Sequence, residues 1–131
     1  MIKYMDRLQR DFIQANPDVL FVFGDNVAQV GLGGQAKECR GEPNSVGIPT
    51  KWRPSMDDDA FFSNDDFLVT VKYSLPRLTR IDKHLEEGGM VVWPNDGIGT
   101  GMAKLSLKAP KIAEFYRLTL EHWLAKYGQD L

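Results

Sequence analysis

DVLFVFGDNVAQVGLGGQA, residues 18–36, passes from a continuous run of β-forming apolar residues straight into an Asp-Asn pair and a cluster of three glycines. A strand without polar alternation is buried on both faces and sits centrally in a sheet covered by helices. MVVWPNDGIGTGM, residues 90–102, has the same arrangement, a short apolar strand that opens into a glycine-rich loop. Ligands of open α/β sheets settle beyond the carboxyl ends of the strands, so both loops belong at one cleft.

The segments around these two units read as helices. Met5, Leu8 and Phe12 in MDRLQRDFIQAN, residues 5–16, have helical spacing, and Pro17 stops the pattern. GQAKECR, 34–40, reads as a short helix. SVGIPTKW, 45–52, reads as a strand that Pro49 either cuts short or forces to an edge. RPSMDDDAFFSND, 53–65, is a polar surface loop. Ser63 and Asp66 have the spacing of a capping box at the start of a helix whose inner face is Phe67, Val71, Leu75, Leu78, Ile81 and Leu85. Pro76 should kink this helix, and Gly88 and Gly89 end it. A last helix, capped by Ser106 with Pro110 in its first turn, turns Ile112, Phe115, Tyr116, Thr119, Trp123 and Leu124 inward. Residues 1–131 are thus expected to form a single layered α/β domain.

Composition narrows the function. A formal net charge of −2 gives no general attraction to nucleic acid or anionic lipid, so an anionic ligand needs a local site. Cys39 is the only cysteine, which excludes an internal disulfide and suits a reducing compartment. The charged start does not read as a signal peptide, and no apolar run approaches the roughly 18 residues that span a membrane. A cytoplasmic protein with no membrane contact is expected. His84 and His122 stand in helices without a second ligand at metal spacing, so neither a metal nor a resident cofactor is expected.

Glycine-rich loops bring backbone N–H groups close to an anion with no Cβ in the way, and a helix that starts just behind adds its dipole. The phosphate loop of nucleotide triphosphatases needs Gly-Lys-Ser/Thr, which GIGTGMAKL lacks, and neither GLGGQA nor GIGTGM carries Gly-x-Gly-x-x-Gly. The expected guest is another phosphorylated small molecule.

FGDNVAQVGLGGQA resembles the first ligand loop of macro domains, the ADP-ribose-binding family, and VVWPNDGIGTGM resembles their second. GIPTKW resembles the Thr-Lys step in the macro-domain branch that removes ADP-ribose from protein carboxylates. The resemblance implies a three-layer α/β/α sandwich with a mixed central sheet, here without the usual C-terminal strand. It implies a diphosphate wrapped by Gly97, Ile98, Gly99, Thr100 and Gly101, with Pro94, Asn95 and Met102 flanking them. Asn26 would face the distal ribose, with Gly24, Gly31, Leu32, Gly33, Gly34 and Gln35 around the sugar. Thr50, Lys51 and Trp52 would complete the ligand side, and Asp18 is the nearest counterpart of the acid that reads adenine.

Two acids that serve hydrolysis in this family fall at Ala36 and Ala103, which leaves catalysis open. Asp25 and Asp96 are the substitutes, with Asn26 orienting ribose or water. Three readings follow: an ADP-ribosyl hydrolase, a non-catalytic module for ADP-ribosylated protein or a free nucleotide signal, and, disfavoured by the charge, a binder of nucleic-acid terminal phosphates.

Overall fold

The computed structural model describes all of residues 1–131. Four strands, β1 (Ile2–Met5), β2 (Leu20–Asn26), β3 (Ser45–Lys51) and β4 (Val91–Pro94), form one sheet in the order β1-β4-β2-β3. Helices α1 (Arg10–Ala15), α2 (Ala36–Cys39), α3 (Phe67–Glu86), α4 (Leu105–Lys108) and α5 (Pro110–Tyr127) cover it.

The alternating side chains of β2 build both layers. Leu20 and Val22 join Val46, Ile48, Val91 and Trp93 in the larger core, which α3 and α5 close with Leu78, Ile81, Leu85, Ile112, Tyr116 and Trp123. Phe21 and Phe23 face the other way, packing with Val92 against Ile13 of α1 and Ala36 and Cys39 of α2. This is the three-layer α/β/α sandwich, with β2 buried on both faces. The sheet is parallel throughout rather than mixed. Each strand is followed by a helical crossover that returns the chain to the same end before the next strand begins.

Residues 2–5 form an edge strand paired with β4, so the first helix is confined to Arg10–Ala15. Pairing with the sheet outweighs the weak helical spacing of Met5, Leu8 and Phe12. β3 continues through Pro49 as the opposite edge strand, where the missing N–H breaks no ladder. The chain ends with the residues after α5, and there Gln129 adds a single parallel bridge to Ile2.

The capping box of Ser63 and Asp66 forms, its carboxylate accepting the Ser63 N–H at 2.8 Å. α3 is helical without interruption through Pro76. Its inner face is Thr70, Ser74, Leu78, Ile81 and Leu85, whereas Leu75 is exposed. The segment 53–65 is less superficial than its polarity suggests, since Ala60, Phe61 and Phe62 are buried. Ser106 lies inside α4, and α5 begins at Pro110 without a side-chain cap. No helix is long and apolar enough to cross a membrane.

Candidate functional site

Because all four strands run the same way, their carboxyl ends meet on one side of the molecule. After β2 the chain turns to the face carrying α2, and after β4 to the face carrying α5. Divergence of two neighbouring connections to opposite faces opens a crevice between them. The crevice is a cavity of about 830 Å³, within the range of about 300–1,000 Å³ usual for small-molecule sites.

Glycines let the second loop lie directly over the strand ends. A Cβ on Gly24 would stand 3.3 Å from Thr50 Cγ2 and 3.7 Å from the Gly99 nitrogen, so β2, β3 and the second loop meet at this point. Gly97 and Gly99 take φ of 86° and 77°, a left-handed region open to glycine without strain. The loop is closed at its ends by Gly97 N–H donating to Pro94 O and Leu105 N–H to Gly99 O. Between these closures, no N–H from Ile98 through Ala103 has a protein acceptor.

The first loop is held by side chains. Arg40, at the end of α2, donates from Nε and Nη2 to the Asp25 carboxylate at 3.1 and 2.5 Å, and from Nη1 to Gly31 O at 2.7 Å. Hydrogen bonding to Asp25 raises the already high pKa of the guanidinium. Asn26 donates through Nδ2 to Val30 O at 2.8 Å and accepts from Val30 N–H through Oδ1 at 3.3 Å. Gln35 accepts the Leu8 N–H at 2.6 Å. Here too a run of amides, Gly31 through Lys37, donates to no protein group.

The cavity wall includes Gly24, Asp25, Asn26, Gly33, Gly34, Gln35 and Ala36 from the first unit. It includes Thr50 and Lys51 from β3, and Pro94, Asn95, Asp96, Gly97, Gly99, Thr100, Gly101, Met102 and Ala103 from the second. Five expected contacts lie outside it. Trp52 is half-buried against the larger core, edge-on to Phe62 and to the exposed Tyr73, and Ile98 packs its side chain against the same core. Leu32 is 82% exposed, and Gly31 stands behind the wall with its carbonyl on Arg40. Asp18 precedes β2 and so belongs to the opposite end of the sheet.

Two roles change with these contacts. Asp25 is buried and engaged by Arg40 and by the Asn26 N–H, so it acts as the anchor of the first loop. Asn26 ties that loop to itself. The helices behind the loops, α2 and α4, have four residues each, so little dipole is available and the loop amides carry the donor chemistry.

Sequence reading missed Met5, Asp6, Arg7, Val30, Arg40 and Pro54, which also line the cavity. The first three follow from the missed β1. Asp6 accepts from Asn95 Nδ2 at 2.8 Å, which joins the N-terminal segment to the second loop. Nothing in the local pattern distinguished Arg40, because its partners lie 9–15 residues away.

A family of unknown function, DUF7831, matches residues 3–118, and the chain belongs to that family. No curated protein and no solved structure matches it.

Proposed function

We propose that this protein binds ADP-ribose or a closely related NAD-derived nucleotide in the cavity between the two glycine loops, as a macro-like binding module. The observation that carries the proposal is that loops distant in sequence border one crevice, each with a run of backbone donors unused by the fold. Amides held by the surrounding backbone satisfy phosphate oxygens without reorganisation, and the cavity is large enough for a nucleotide. The macro-domain resemblance of both loops is what selects ADP-ribose among phosphorylated compounds. Its carrier would be an ADP-ribosylated protein or, for a free ligand, a nucleotide signal.

Binding is favoured over hydrolysis because both oxygens of Asp25 are already engaged and the positions of the family's acids are Ala36 and Ala103. A general base aimed at water would contribute about 10²–10⁴ in rate. Asp96, exposed on the wall with neither an ion-pair nor a hydrogen-bond partner, is the carboxylate left for that role, since Asp6 on the same wall already accepts from Asn95. A cytoplasmic location belongs to the same proposal and rests on the single, unpaired cysteine.

Calorimetric titration with ADP-ribose, run beside turnover of an ADP-ribosylated peptide, tests the reading. Saturable binding with no turnover is expected. Turnover abolished by Asp96→Ala would replace the module with a hydrolase, and absence of binding to ADP-ribose, NAD and AMP alike would overturn the nucleotide assignment. Affinity for oligonucleotides that falls steeply with salt would move the assignment to nucleic acid.

A further inference from the structure

The cavity has a cation that the fold itself does not neutralise. Lys51, the last residue of β3, is only 6% exposed and lines the wall beside Thr50, whose side chain packs against Gly24. Its ammonium meets Met56 Sδ at 3.7 Å and stands 4.4 Å from the centre of the Phe61 ring. A thioether is a weak acceptor, and an aromatic face offsets only part of a buried charge. Lys108 approaches the other contact of the same group, 5.0 Å from the Phe61 centroid.

Lys104 adds a third positive charge at this corner. It follows the cavity residue Ala103 and is held at φ 48°, a conformation that side-chain-bearing residues rarely adopt. None of Lys51, Lys104 and Lys108 enters an ion pair. The nearby acids Asp57 and Asp59 turn instead to Arg53. Burial, and then repulsion from Lys104 and Arg53, lower the pKa of Lys51. Buried charges in folded proteins are ordinarily paired, so a lysine on the cavity wall whose ammonium has no carboxylate partner marks where a ligand's charge belongs.

We propose that Lys51, backed by Lys104 and Lys108, forms the charge subsite for a phosphate group of the ligand. The open amides of residues 98–103 supply directed hydrogen bonds to it. A phosphate fits this corner better than a carboxylate because it brings up to two charges and several acceptor oxygens to a cluster of three ammoniums. Lysine serves such a group as a point charge with three donors. The inference shares its cavity with the nucleotide reading but does not depend on adenine or ribose being recognised.

The test measures the thermal shift of the wild type and of Lys51→Met with inorganic phosphate, pyrophosphate, AMP and ADP-ribose. Methionine keeps the length of the stem and removes a buried charge, so the variant should fold. The exposed Lys104→Ser/Lys108→Ser double variant provides a second reading. Pyrophosphate should stabilise the wild type, with its Kd at least about tenfold weaker in Lys51→Met and weakened severalfold in the double variant. An equal pyrophosphate shift in wild type and Lys51→Met overturns the subsite, as does absence of any shift by all four compounds. Lysine-dependent stabilisation by pyrophosphate without binding of ADP-ribose keeps the subsite and removes the nucleotide reading. Equal ADP-ribose affinity in wild type and Lys51→Met does the reverse.

Discussion

Arg40 and Asp25 show how one pair decides the shape of the site. The carboxylate is buried and the guanidinium bridges it to the carbonyls of Val30 and Gly31, so the first loop cannot lift without stranding a charge. Asp25→Asn should lower stability by about 2–3 kcal/mol in denaturant unfolding, and should loosen residues 29–31 before the sheet. Cys39 is fully buried, and burial pushes its thiol up to about 12. The native protein should therefore resist alkylation at mildly alkaline pH and react only after unfolding; rapid native labelling would contradict the packing of α2. Lys51 gives a signed pH effect. Its folded pKa lies below the ordinary 10.5, so the unfolded chain holds more protons in the interval between the two values. The free protein then loses this penalty as pH rises toward 10.5, and stability increases there. The advantage of Lys51→Met over the wild type in unfolding free energy should shrink across the same interval.

At the scale of elements, the second loop separates glycines that the backbone requires from those that leave space. Gly99 has φ 77°, and a Cβ there would meet Leu105 Cβ and Cδ2 at 2.8 Å, so Gly99→Ala should cost about 1–3 kcal/mol and shift α4. Gly101 has open space where a Cβ would stand, with no heavy atom within 4 Å, and no positive φ. Gly101→Ala should leave the melting temperature unchanged, and any loss of ligand affinity would then report on the cavity alone. α3 illustrates a different balance. Its N-terminal half exposes Leu75, leaves Phe67 and Val71 half-buried and buries Thr70 and Ser74, so the inner face is rotated from the one apolar spacing predicts. The Ser74 hydroxyl donates to Val71 O at 3.0 Å, which lets a small polar side chain sit against the sheet. An apolar period identifies the helix, but which side is inward depends on how closely the sheet approaches.

At the scale of the molecule, the two loops should respond as one. Amides of residues 31–37 and 98–103 have no internal acceptors, so they should exchange rapidly with solvent in the free protein, while β2 and β4 exchange slowly. Saturating ADP-ribose should slow both segments together. Protection of one segment alone would show that the ligand does not bridge the crevice. Binding at about a hundred times Kd should add about 2.7 kcal/mol to the unfolding free energy, visible as a raised Tm.

The central strands, the long helices, the layered α/β class and the pairing of two glycine loops at strand ends were legible in the chain, because each depends on residues within a few positions of one another. Runs such as LFVF and MVVW, the Ser63–Asp66 cap and the spacing of Leu78, Ile81 and Leu85 state local periods and local hydrogen bonds. Four residues at the N terminus carry too little period to declare a strand, so β1, the all-parallel sheet and the wall made by Met5–Arg7 emerged only once pairing with β4 was visible. The roles of Asp25 and Asn26, the inward turn of Trp52 and the uncompensated charge of Lys51 likewise belonged to tertiary structure. Each is decided by partners distant along the chain or by the lack of them, and a sequence records which groups exist but not which of them end up in contact.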